Sequence, residues 1–149
     1  MSRSGSIPRK KIRVVLDTNI LVSAWLWEGN ESKIVELTER GILLGYSSPK
    51  LIDELKSVLN HPKFKLSQEE VASAISYYGV VLRVVEPRIV VNAIREDVAD
   101  NEILACALSV KASSIVTGDR HLLALNTYKG VKISTSREFL RVMDVKDIY

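Results

Sequence analysis

Four acids stand at positions where a carboxylate needs compensation. Asp17 interrupts the apolar stretch "VVLDTNILVSA", with Ile12, Val14, Val15 and Leu16 before it and Ile20, Leu21 and Val22 after it. Burying such a charge unpaired costs several kcal/mol. Glu54 lies in "SSPKLIDELKSVL", Asp100 in "DVADNEILACAL" and Asp119 in "SIVTGDRHLLAL". Grouped carboxylates repel one another unless protons or cations neutralise them, and no matching group of lysines or arginines accompanies these acids along the chain. Mg²⁺ or Mn²⁺ suits the role, because both take oxygen ligands and keep several waters. A site of one or two such ions can activate water and stabilise an in-line displacement at phosphorus.

The choice of Glu54 over its neighbour Asp53 follows from helical geometry. At about 100° per residue, Leu51, Ile52, Leu55, Val58 and Leu59 span an arc of about 120°. Asp53 points roughly opposite the centre of that arc, toward solvent, whereas Glu54 falls about 40° beyond its edge and can reach along the protein. Taken singly, Asp100 could be only a helix cap and Asp119 only a turn residue; the weight lies in the convergence of all four.

Convergence depends on the elements that carry them. Apolar runs predict strands over 12–17, 42–48, 80–87 and 113–119, with a short one over 131–135. Helices are predicted over 31–40, ending at Gly41; over 48–62, with Ser48 as N-cap and Pro49 at the first turn; and over 67–79, opened by a Ser67–Glu70 capping box. Two more are expected over 100–112 and over 136–143, the latter capped by Ser136. Strands alternate with helices and read as continuous apolar runs, which predicts a three-layer α/β/α sandwich with a mainly parallel central sheet. Ligands of such sheets bind beyond the carboxyl ends of the strands. Asp17 and Asp119 end the first and fourth strands, Asp100 opens the helix before the fourth, and Glu54 rides the helix after the second.

Bulk composition narrows the rest. The chain has 149 residues, 46% hydrophobic and 26% charged, which fits one globular domain with a real core. No apolar run approaches the roughly 20 residues of a membrane helix, and Arg13 and Asp17 break the apolar stretch behind the basic N-terminus, so a cytoplasmic protein is expected. Five of the 21 basic residues lie within 1–13, leaving 16 against 18 acids elsewhere. The organisation read from this is a basic tail over 1–11, able to contact phosphate, and one domain over 12–149. A single cysteine, Cys106, and two histidines, His61 and His121, exclude an internal disulfide and a cysteine- or histidine-rich metal site.

Taken in order and spacing, "VVLDTNILVSA", "SSPKLIDELKSVL", "DVADNEILACAL" and "SIVTGDRHLLAL" resemble the PIN-domain family, in particular its stand-alone prokaryotic members related to VapC-type toxins of toxin–antitoxin pairs. The likeness runs from about Ile12 to Met143. It implies a metal-dependent ribonuclease acting on single-stranded RNA with Mg²⁺ or Mn²⁺, in which Asp17, Glu54, Asp100 and Asp119 are the catalytic and metal-binding acids. It also implies that Asn19 helps to orient the first acid and that Thr117 is the small hydroxyl residue beside the fourth. Asp97 is an additional acid near the third motif that could serve as a ligand. A cognate antitoxin and a homodimer are further implied partners, and Trp25 and Trp27 could serve a dimer contact or the core equally. An inactive relative that only binds RNA or protein would be expected to have lost one of the acids. A haloacid-dehalogenase-type phosphotransferase would need a second aspartate where Asn19 stands. No P-loop or glycine-rich dinucleotide fingerprint exists in the chain.

Overall fold

The computed structural model describes residues 11–92 and 98–143. The basic segment before Lys11 and the additional acid Asp97 lie outside the described residues.

Six strands form one sheet in the order β3-β2-β1-β4-β6-β5. They are β1 (Ile12–Leu16), β2 (Leu43–Ser47), β3 (Arg83–Val84), β4 (Ser114–Val116), β5 (Thr127–Tyr128) and β6 (Val131–Ser134). All pairings are parallel except the β5–β6 hairpin. The central strand β1 lies between β2 and β4, with Leu16 level with Val116. The chain builds outward from β1 through β2 to β3, then returns to the other side of β1 as β4. The strand order therefore reverses between β1 and β4, and in open parallel sheets the crevice beyond such a reversal is where ligands bind.

The helices are α1 (Thr18–Leu26), α2 (Asn30–Glu39), α3 (Pro49–Leu59), α4 (Gln68–Val81), α5 (Val98–Ser109), α6 (Arg120–Leu123) and α7 (Ser136–Val142). Strand alternation divides the core between the two faces of the sheet. Val14 and Leu16 pack with Ile20, Leu21, Ile34, Leu37, Tyr78 and Phe139, under α1, α2, α4 and α7. Val15 points the other way, with Tyr46, Ile115 and the α5 residues Ile103, Leu104 and Cys106. This is the expected three-layer sandwich. The Cys106 thiol is fully buried, and burial pushes its pKa up to about 12, so it acts as a small core residue. Gly45 lets β2 run against α2: a Cβ there would stand 2.7 Å from Thr38 Cγ2 and 2.8 Å from Leu82 Cδ2. Among the described residues no helix is long and apolar enough to cross a membrane.

Several expected boundaries are corrected. The strand predicted over 80–87 shrinks to Arg83–Val84, because α4 continues across Gly79 to Val81. A mid-helix glycine costs only about 1 kcal/mol, while the buried Tyr78 anchors the last turn by donating its hydroxyl to the Leu21 carbonyl at 2.7 Å. The fourth strand spans three residues rather than seven. The last helix is capped by Thr135, not Ser136: Thr135 and Glu138 form the capping box, and the Ser136 hydroxyl donates to Glu31 instead. Helix α1 is an element that the apolar periodicity does not predict. Trp25 is half-buried in it, against Tyr77 and Tyr78, while Trp27 beyond its end is exposed.

Candidate metal centre

Asp17 follows the last residue of β1 and is the N-cap of α1. It is buried, and both of its carboxylate oxygens are held. The Thr18 N–H donates to Oδ1 at 2.7 Å. The Thr117 hydroxyl, at the end of β4, donates to Oδ2 at 2.6 Å. The backbone closes the same seam, since the Asp17 N–H donates to the Val116 carbonyl at 3.0 Å. Thr117 also accepts the Asp119 N–H at 2.9 Å, so a single hydroxyl ties the first acid to the backbone of the fourth.

Thr18 plays the corresponding part toward Glu54. Its hydroxyl donates to Glu54 Oε2 at 2.7 Å, joining the start of α1 to the middle of α3. Asp53 is exposed, as its helical phase predicts. Asp119 caps α6, its Oδ1 accepting the N–H groups of His121 at 2.8 Å and Leu122 at 3.3 Å. Asp100 is buried in the first turn of α5. Asp100, Asp119 and His121 each offer a ligand atom, and these atoms lie within 4.8 Å of one another. Asp17 is thus linked through Thr18 to Glu54 and through Thr117 to Asp119, which is grouped with Asp100. Asn19 stands exposed; the hydrogen bonds on the Asp17 carboxylate come from Thr18 and Thr117 instead.

Burial raises the Asp17 pKa from an ordinary 3.8 to about 6, with the Thr117 and Thr18 hydrogen bonds pulling it down and the charges of Glu54 and Asp119 pushing it up. Among the described residues neither Asp17, Glu54 nor Asp119 is ion-paired with a lysine or arginine. A buried carboxylate beside the like charges of Glu54 and Asp119 fits a hard divalent cation; Asp17 and Glu54 stand outside the 4.8 Å group of Asp100, Asp119 and His121.

Three further residues of this region carry no role in the sequence reading. Thr18 follows Asp17 directly and His121 stands two residues after Asp119. Closeness to an acid in the chain is the only signal for either. Glu102 accepts from the Ser48 hydroxyl at 2.7 Å, and Ser48 in turn caps α3 by accepting the Leu51 N–H at 3.2 Å. This strut joins the helix carrying Glu54 to the helix carrying Asp100, and no spacing rule pairs residues 48 and 102.

The sequence profile of the family described as PIN domain matches residues 13–121. An uncharacterized protein of Methanocaldococcus jannaschii is 28% identical over 142 residues, covering 87% of this chain and 90% of that protein. Among solved structures, a chain in the crystal structure of VapBC2 from Rickettsia felis, bound to a DNA fragment from their promoter, superimposes with a TM-score of 0.62. Identity there is 16%, over 83% of this chain and 98% of that one, and the likeness is one of fold.

Proposed function

The chain belongs to the PIN domain family, and from that premise we propose that it is a metal-dependent endoribonuclease that cleaves single-stranded RNA. The observation that carries the proposal is the buried Asp17, hydrogen-bonded to Thr117 and Thr18, which in turn hold Asp119 and Glu54. A bound Mg²⁺ or Mn²⁺ would supply a Lewis acid for the phosphate oxygens and a water of lowered pKa. The chain supplies the geometry. Asp17, Glu54, Asp100 and Asp119 are the ligands. Thr18 and Thr117 fix carboxylate orientations before any ion or substrate arrives, so little reorganisation remains at the moment of reaction. The fold shared with VapBC2 supports a toxin of a toxin–antitoxin pair, with an antitoxin as protein partner; a homodimer is the assembly that we propose alongside it. The proposed place of this work on RNA is the cytoplasm.

The test is cleavage of a mixed single-stranded RNA pool, with analysis of the product ends. Water attacks phosphorus and the P–O3′ bond breaks, leaving a 3′-hydroxyl and a 5′-phosphate, and chelator abolishes the cut. Products ending in 2′,3′-cyclic phosphate, formed equally well in chelator, would refute the reading.

A further inference from the structure

We propose that His121 is a nitrogen ligand of the same ion, beside Asp100 and Asp119, and that it biases the site toward Mn²⁺ and later first-row ions over Mg²⁺. The inference rests on the metal-nuclease reading above and adds a residue and a selectivity to it. Asp119 and His121 are held together by the α6 cap: the His121 N–H donates to Asp119 Oδ1 at 2.8 Å, which folds residue 121 back over residue 119. The imidazole makes no hydrogen bond among the described residues. Its Nδ1 stands 3.9 Å from Asp119 Oδ1, too far for a hydrogen bond, and the side chain is 77% exposed, so it contributes nothing to the core. Its ring nitrogen is nevertheless grouped with carboxylate oxygens of Asp100 and Asp119, all within 4.8 Å of one another. Donors around one ion at about 2.1 Å lie roughly 3 to 4 Å apart, so closure on a cation takes only a small side-chain movement. Asp100 and Asp119 come from the two elements flanking β4, so the histidine joins a site that the fold has already assembled.

The chemistry gives the selectivity. Imidazole is a borderline ligand that suits Ni²⁺ and other later first-row ions best; Mn²⁺, at the weak end of that series, still accepts it more readily than Mg²⁺, which prefers oxygen and holds its waters. Removing one nitrogen donor should cost little affinity for Mg²⁺ and progressively more for Mn²⁺, Co²⁺ and Ni²⁺, following their order of affinity for such sites.

The test uses untagged protein with Mn²⁺ alone and no RNA. Electron spin-echo modulation of bound Mn²⁺ detects a directly coordinated imidazole nitrogen. The chain has only two histidines, so two variants assign the signal. Wild type and His61→Gln should show the nitrogen modulation and His121→Gln should lose it. Titrations of His121→Gln should show a several-fold loss for Mn²⁺, a larger one for Ni²⁺, and almost none for Mg²⁺. Bound Mn²⁺ without nitrogen modulation in wild type, or modulation that survives His121→Gln, would overturn this inference and leave the nuclease reading intact. Failure of wild type to bind Mn²⁺ at all would overturn both.

Discussion

The hydroxyl of Thr18 donates to Glu54 Oε2 at 2.7 Å, across 36 positions of sequence. This contact fixes a glutamate of α3 against the start of α1, beside the proposed site, while Asp53, one residue earlier, remains solvated. Thr18 itself is buried. Thr18→Val keeps the shape and deletes the donor. It should cost about 1 kcal/mol of stability and lower RNA cleavage, whereas Thr18→Ser should retain most of both. Denaturant midpoints and initial rates for the two variants check this. Equal activity in Thr18→Val and wild type would show that Glu54 needs no anchoring.

Asp17 gives the metal-free protein a pH signature. Its folded pKa of about 6 lies above its ordinary 3.8, so between those values the folded state binds the proton more tightly than the unfolded chain. Stability from the neutral carboxyl is complete below about pH 4 and lost as pH rises through about 6, a change of about 3 kcal/mol. Urea unfolding in chelator from pH 4 to 7 should show this decline, and Asp17→Asn should flatten it. Mn²⁺ at a hundredfold excess over its dissociation constant should restore about 2.7 kcal/mol to wild type at pH 7. A wild-type profile as flat as that of Asp17→Asn would mean that Asp17 is not the strained acid.

The Ser48–Glu102 strut should set the spacing between α3 and α5. Ser48→Asp keeps an acceptor for the Leu51 N–H, and so the helix cap, but sets a like charge against Glu102. Ser48→Asn keeps the acceptor and also a donor. Both should be folded, yet Ser48→Asp should lose kcat by a larger factor than it changes KM, and Ser48→Asn should recover most of it. A loss of stability without a change in kcat would confine the pair to a structural role.

Gly45 is fixed by close approach alone. Gly45→Ala would force its methyl group to within 2.7 Å of Thr38 Cγ2 and 2.8 Å of Leu82 Cδ2. Overpacking of this kind costs about 1–3 kcal/mol, and α2 must shift away from β2 to relieve it. A thermal melt should show a clearly lowered midpoint with cleavage per folded molecule unchanged. An unaltered midpoint would mean that α2 can move freely.

Much of this arrangement was legible because its causes are local. The sheet follows from apolar runs separated by helical periods, and Glu54 from its phase on α3. The start of α1 is hidden because Asp17 to Asn19 read as a polar break, although Asp17 is itself the N-cap. The end of α4 was misplaced at Gly79, because the anchoring bond from Tyr78 to Leu21 spans 57 positions. Contacts such as Thr117 to Asp17 and Ser48 to Glu102 join residues 100 and 54 positions apart. Such pairings are set by tertiary packing, which no periodicity reveals. Asn19 and Thr18 show the limit from the other side: two small polar residues follow Asp17, and only the fold decides which one turns inward.

The central claim is that the acids around Asp17 form the catalytic metal site, and one side-by-side cleavage assay tests it most directly. A labelled single-stranded RNA is incubated with wild type, Asp17→Asn, Asp100→Asn and Asp53→Asn, each with Mn²⁺ and with chelator. Wild type and Asp53→Asn should cut at matching rates in Mn²⁺ and not in chelator, while Asp17→Asn and Asp100→Asn should be inactive in both. Cleavage by wild type in chelator, or undiminished cleavage by Asp17→Asn, would contradict the account.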